Sequence, residues 1–465
     1  MKTIFGTAVF LVLTLQILTG LVWGCLNFPY LQEFGDTTGL LRMSEGLFLQ
    51  GDTGVIYPAL LAIVRTMFLN SPVRYYQVMY LLQLVLAFIS WFYFSQQVLG
   101  IEKTRMRIWF SLAVITCPFA MQCHMAVLEY SFASSFLCLL VTFQIRFMRE
   151  WKEDLSRIAA SRVFRDTCIV SLFWLFLSLL RKEFVLLGFI PVLSVYITIV
   201  RRIKAVLMPA VTIICFATLI FTSVHIFGIG NGLSPVQNFR MSLYYRVAWN
   251  EDFQDLDHIP AHVREVTDEE TLEDIIADPG LIYRIGDAAR RTIGTEETVI
   301  EFPGWAWVAF RDNKTAIVID TMTEIAGYTF APLINHIKLA GVGLPGYSTG
   351  NYDVMRRICP VLTKFYLRVF SVVYVMILVA FVIAKIAELT GSAANRSSAD
   401  AAETADAESG HAICSIGELI PVIAVIVTSS FIYAFSGNNV WDHRKALFAT
   451  CMWMSLFAGS SVKEK

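Results

Sequence analysis

Ten runs of apolar residues, most of them without a single Asp, Glu, Lys or Arg, leave this chain little choice of solvent. They cover Thr3–Trp23, Gln77–Val98, Trp109–Gln122, Val127–Phe147, Thr167–Leu180, Phe184–Val200, Ala205–Phe227, Val369–Ile386, Ile416–Phe435 and Ala446–Phe457. A helix needs about 20 residues to cross the hydrocarbon of a bilayer. The shorter runs must therefore draw on their polar flanks or thin the membrane locally. The runs are continuously apolar rather than alternating, which points to helices and excludes a membrane barrel. The first carries only Lys2 ahead of it and lacks a clean small-residue cleavage motif, so it reads as an uncleaved span. Composition agrees. Of 465 residues 56% are apolar and 16% charged, with a mean hydropathy of +0.59. Soluble domains run at about 45–50% apolar and about 25% charged. The expected fold is an all-α polytopic membrane protein, a bundle of about ten transmembrane helices with an inserted, mainly helical extracytoplasmic domain.

Basic residues orient the spans. Lys103, Arg105 and Arg107 follow the second run, Arg146 to Arg165 lie between the fourth and fifth, Arg201, Arg202 and Lys204 follow the sixth, and Lys463 and Lys465 close the chain. All four clusters fall on one side if every run is a full span, and the positive-inside bias makes that side cytoplasmic. Both termini are then cytoplasmic, and the protein is expected in the cell membrane. Residues 1–227 form an N-terminal transmembrane module with an outward loop at 25–77. Residues 228–367 form the extracytoplasmic domain, and 368–465 carry the C-terminal transmembrane helices. Within the last, 390–411 (SSADAAETADAESG at its heart) cannot bury enough apolar surface to fold and reads as a disordered cytoplasmic linker.

Several functions drop out. Net charge is −1, whereas a nucleic-acid partner requires a basic surface with clustered Lys and Arg. The nine cysteines follow no metal-ligand spacing and no disulfide framework. Most lie inside apolar runs, as Cys117, Cys138, Cys168, Cys215 and Cys451 do, and they read as small hydrophobes. No cofactor is called for, and a divalent cation is not indicated. The glycine-rich GVGLPGYSTGNY at 341–352 lacks the lysine and the following Ser or Thr of a phosphate loop, which excludes nucleotide cradling.

The first outward loop carries the most suggestive acid. Asp36 precedes an apolar-periodic stretch with Leu40, Leu41, Met43, Leu47 and Phe48, a helix that would lie on the membrane surface with Glu45 on it. Asp36 or Thr37 is a sound N-cap, and a simple cap is one reading of the acid. The functional reading is a general base at the lipid–water boundary, its carboxyl pKa raised by partial desolvation. After the turn GDTG, the pair Tyr57–Pro58 opens a second helix too short to span, suited to an interfacial or re-entrant position.

Cations also gather on the expected outward side. Arg181, Lys182 and Glu183 interrupt an otherwise continuous apolar stretch, either as snorkelling helix ends or as a clamp for an anionic lipid phosphate. In the last outward turn Asp442, His443, Arg444 and Lys445 crowd the start of the final helix, the wrong sign for its dipole unless an anion or a carboxylate answers them. Arg240 and Arg246 share a helical face with Tyr244 close to the membrane. Trp305 and Trp307 suit the membrane interface or a sugar-stacking surface equally. The sequon Asn313-Lys314-Thr315 would suit a secretory-pathway membrane, whereas the short loops suit a bacterial plasma membrane.

A first span, an outward loop with an acid ahead of a surface helix, and a Tyr-Pro pair opening a second short helix together resemble the GT-C superfamily of integral-membrane glycosyltransferases. The resemblance covers the chain up to about Phe227 and is architectural. It implies a GT-C-like bundle that moves a sugar from a polyprenyl-phosphate donor to a glycan, lipid or protein acceptor of the cell envelope on the extracytoplasmic face. It also implies that Asp36 is the catalytic base, that Tyr57 matches the proline-marked helix start, and that Arg181 and Lys182 hold the donor phosphate. Arg240, Arg246, His443 and Arg444 complete the candidate phosphate-binding set, with Glu45 as a candidate lacking a family counterpart. The chain departs from the pattern in having no second acid beside Asp36, which argues against a metal-dependent mechanism. A polymerase, ligase or flippase of the same pathway would share the cationic cavity, and a transporter or scaffold is the non-enzymatic alternative.

Overall fold

The computed structural model describes residues 2–27, 40–45 except 42, 54–68, 72–153, 160–188, 207–226, 416–435 and 447–463, with short stretches between 311 and 329 and between 361 and 383. Among these residues every regular element is helical. Helices α1 (Lys2–Asn27), α2 (Ile56–Met67), α3 (Pro72–Gln97), α4 (Thr104–Ile115), α5 (Pro118–His124), α6 (Glu129–Glu153) and α7 (Ala160–Leu180) follow in order. A 3-10 turn spans Lys182–Gly188, and then come α8 (Leu207–Ile226), α9 (Phe365–Met376), α10 (Ile416–Phe435) and α11 (Leu447–Lys463). Within the described residues three stretches are long and apolar enough to cross a bilayer: Thr7–Leu26, Arg74–Gln97 and Glu129–Glu150. The bent pair α4–α5 makes a fourth if counted as one span.

The run Trp109–Gln122, expected as one span, falls on this bent pair. Helix α5 leaves α4 at 81°. The cause is Pro118: its ring disfavours helical backbone in the residue before it, and it has no N–H to continue the ladder. Cys117 accordingly sits at φ −54°, ψ 133°. A break in an apolar bundle frees carbonyls that lipid cannot satisfy, and two distant side chains answer them. Gln16 Nε2 of α1 donates to Ala113 O at 3.0 Å, and Tyr366 Oη of α9 donates to Thr116 O at 2.6 Å. Close approach is possible because α1 presents Gly20 and Gly24 one turn apart, a small-residue notch of the kind that lets membrane helices touch. A Cβ at Gly20 would lie 2.9 Å from Tyr366 Oη and 3.0 Å from Thr116 Cβ. Tyr366 itself stands in a π-helical turn, Phe365–Val369, that opens α9.

Helix α6 is the axis of the bundle and the most enclosed of the three spanning stretches. Helix α3 lies along it and along α4; α7, α10 and α11 pack on its other sides, and α1 closes against α4 and α11. One end of this bundle is basic. Arg149 near the end of α6 donates to Gln97 O and Val98 O at the end of α3, and Arg146 bonds Tyr93 Oη and Glu150, which also receives Arg162 of α7. Arg107 at the start of α4 lies over Phe92, 4.9 Å from the ring centroid. Two of the basic clusters singled out in the sequence thus meet at the same end. The 25 residues of α6 separate it by about 37 Å from the opposite end, at about 1.5 Å per residue.

A few described residues of the segment expected as an outward domain lie against the bundle. The described residues between 311 and 329 are helical, and Thr329 meets Ser430 of α10 and, through its carbonyl, Trp453 of α11. The remainder of 228–310 and 330–360, and the linker 390–411, lie outside the described residues.

Candidate functional site

The end of the bundle opposite the arginine cluster gathers buried polar groups, and each is there for a local reason. Helix α2 starts just after Gly54, which lies against the end of α7. Gly54 N–H donates to Leu180 O at 3.2 Å, and any Cβ at Gly54 would fall inside the Leu179 and Leu180 backbone. That contact sets the first turn of α2 in the core, with Tyr57 and Pro58 buried. Tyr57 Oη donates to Gln83 Oε1 of α3 at 2.8 Å. The Gln83 amide nitrogen in turn donates to His124 O at 2.7 Å and Ala126 O at 2.8 Å. These carbonyls belong to the end of α5 and the non-helical link that follows it, so one glutamine satisfies backbone that a second interruption in the helices would otherwise orphan.

Below this link α6 begins. His124 Nδ1 lies 2.8 Å from Ser131 Oγ. Glu129 occupies the first turn of α6, where a carboxylate suits the helix dipole. Its Oε1 accepts from Arg181 Nη1 at 2.7 Å. Arg181 is the residue that leaves α7, and its guanidinium lies over Tyr130, 4.9 Å from the ring centroid. Glu129 is 0% exposed and Arg181 8%. A pair so enclosed owes its existence to geometry, since desolvating both ions costs several kcal/mol each. Burial, and then the charge of Glu129, push the Tyr57 phenol well above its ordinary 10.0. Tyr57 therefore keeps its proton and acts here as a hydrogen-bond donor.

The sequence-derived candidates divide three ways. Tyr57 and Arg181 come to the same end of the bundle, linked through Gly54, Leu180 and Glu129. Glu45, in a short helical piece, pairs with Arg65 of α2 at 2.6 Å with both side chains solvent-accessible; such a pair contributes about 0–1 kcal/mol. Lys182 begins the 3-10 turn beside Arg181, and its side chain is outside the described residues. Asp36, Arg240, Arg246, His443 and Arg444 also lie outside them. Gln83, His124, Glu129 and Ser131 escaped the sequence reading. Glu129 alone carried a signal, an acid inside an apolar run; the other three are polar residues unremarkable at that level. No three His, Cys, Asp or Glu side chains among the described residues come together as a metal-binding group.

Comparison with protein-family models, with curated proteins and with solved structures returns no match.

Proposed function

We propose that this protein is a membrane glycosyltransferase that moves a sugar from a polyprenyl-phosphate donor to a cell-envelope acceptor on the extracytoplasmic face. The observation that carries the reading is the seam between Gly54 and Leu180. It joins the end of the first loop to the Arg181 turn, the two segments that the GT-C resemblance requires to share a site. The chemistry asked of them is modest. Asp36 takes the proton of the acceptor hydroxyl as the sugar carbon is attacked, and the C–O bond to the phosphate breaks. The phosphate leaves with added negative charge, which Lys182, His443, Arg444 and the field of Arg181 stabilise. Arg181 works from within its pair with Glu129, so its role is to orient and to temper the local field rather than to neutralise the phosphate alone. Inversion at the sugar carbon follows if no covalent nucleophile intervenes.

The test is transfer from polyprenyl-phosphate sugars by the purified full chain, wild type against Asp36→Asn. Loss of a general base lowers turnover by about 10²–10⁴-fold, with donor binding retained. Equal turnover in both would remove Asp36 from the mechanism. A second reading, a lipid-linked oligosaccharide flippase or transporter, is favoured by the broken pair α4–α5, since transporters build their sites from discontinuous helices. Against it, Glu129 and Arg181 stand at helix ends, whereas transport pathways place charge at the midplane.

A further inference from the structure

The basic end of the bundle does not use all of its cations alike. Arg146 and Arg162 have Glu150, Arg165 has Asp166, and Arg149 caps the end of α3. Lys103 and Arg105, at the start of α4, are exposed, and among the described residues nothing pairs with either side chain. Glu102 precedes them and is exposed, but it pairs with neither. Both cations also stand at the positive end of the α4 dipole, which adds to their mutual repulsion. The next turn of α4 is fixed on two sides. Arg107 is turned to α3, where its guanidinium lies over Phe92. Trp109 is turned to α1, where it stacks on Phe10 at 4.4 Å and donates from Nε1 to Thr14 Oγ1 at 3.0 Å. Successive helical residues point about 100° apart, so Ile108 faces outward between these two contacts and is 41% exposed. Arg105 lies one turn before it and Leu112 one turn after, on the same side. Helix α4 thus shows the bilayer a strip, Arg105–Ile108–Leu112, flanked by α1 and α3. The flanking helices are apolar, with Leu11 and Leu15 exposed on one and Val85 and Ile89 on the other.

We propose that this strip binds an anionic phospholipid, with the headgroup phosphate at Lys103 and Arg105 and an acyl chain along Ile108 and Leu112. Basic groups at the mouth of an apolar cleft between membrane helices suit an acidic headgroup. Arginine adds a planar fork that matches two phosphate oxygens at once. A zwitterionic lipid fits the apolar part equally well, but it brings a further cation to a place that already holds two without a counter-charge. Free phosphate answers the cations and leaves Ile108 and Leu112 uncovered. The site lies at the end of the bundle opposite Tyr57 and Glu129. It does not rest on the glycosyltransferase reading and needs only that the helices stand in a bilayer.

The purified full chain in nonionic detergent is heated alone, with phosphatidylcholine, with phosphatidylglycerol of the same acyl chains, and with inorganic phosphate. In the wild type phosphatidylglycerol should raise Tm beyond phosphatidylcholine, and phosphate should not. The double variant Lys103→Gln, Arg105→Gln should lose this excess and keep the phosphatidylcholine increment, which also shows that it is folded. Arg74→Glu makes an equal change of net charge at the other end of α3, on an exposed residue, and should keep the excess. Retention of the excess in the double variant overturns the assignment. So does an equal loss in Arg74→Glu, because charge anywhere on the protein would then suffice. Equal increments from the two lipids in the wild type overturn it as well, and leave the cations to another anion such as the acidic segment 390–411. A phosphate increment as large as that of phosphatidylglycerol would mean an adventitious anion only, with no lipid site.

Discussion

At the scale of single residues, the polar end of the bundle is held by side chains that do two jobs. Tyr57 is buried by the packing of Gly54 on α7, and once buried its hydroxyl must find an acceptor. Gln83 supplies it and spends its own amide protons on His124 O and Ala126 O. Tyr57→Phe removes the donor and leaves Gln83 Oε1 enclosed, which should lower stability by about 1–3 kcal/mol. The effect has a pH signature. Burial and the neighbouring Glu129 raise the folded phenol above 10.0, so the folded state binds this proton more tightly than the unfolded one. Its contribution is fully present below about pH 10 and is lost as pH climbs through the folded value. Denaturation of the two proteins in detergent from pH 7 to 11 should show a constant gap up to about pH 10 that then narrows. A gap unchanged at pH 11 would mean that Tyr57 is not shielded as described.

At the scale of elements, the break between α4 and α5 is the feature that shapes the site, because it turns α5 aside and delivers His124 to the start of α6. Pro118 was visible in the sequence, and a proline inside an apolar run is a break signal in its own right. The run was nevertheless read as one span, because the residues that make a break tolerable are remote. Gln16 lies 97 residues from the carbonyl it caps and Tyr366 lies 250 residues from Thr116. No local pattern announces such partners. The same holds for Gln83, a single amide in the middle of an aromatic helix, whose meaning comes wholly from α2 and α5. By contrast the Tyr-Pro helix start and the interruption at Arg181 were legible, since each is a local breach of apolar periodicity. The break depends on its remote caps. Tyr366→Phe and Gln16→Leu should each destabilise the bundle by about 1–2 kcal/mol, the worth of a polar contact between membrane helices. Gly20→Val should cost more, because its branched side chain must displace Tyr366 and Thr116 together. Thermal unfolding of the three variants in one detergent tests the order; a Gly20→Val protein as stable as the wild type would show that α1 does not approach the break as closely as described.

At the scale of the whole molecule, charge is sorted to the two ends of an apolar bundle, and the sorting is asymmetric. One end holds Arg107, Arg146, Arg149 and Arg162, their charges spent on helix-end carbonyls and on Glu150. The other holds Glu129 with Arg181, and near it the exposed pair of Glu45 with Arg65. The apolar runs made the helices readable, but which clusters share an end depends on how many runs truly cross, and that is a property of the assembled bundle. By the positive-inside bias the arginine-rich end is expected on the cytoplasmic side, and the glycosyltransferase reading needs the Glu129–Arg181 end on the outside, so one labelling experiment bears on both. Arg105 at the start of α4 and Glu45 beside α2 are both exposed, and replacing either by cysteine costs little, since exposed pairs contribute about 0–1 kcal/mol. In intact cells a membrane-impermeant maleimide should label Glu45→Cys above the wild-type background and leave Arg105→Cys unlabelled until the membrane is opened. The reverse pattern would put the polar end in the cytosol, where no lipid-linked donor of the outer face could reach it. Labelling of both from outside would mean that α3 does not carry the chain across the bilayer between these two positions.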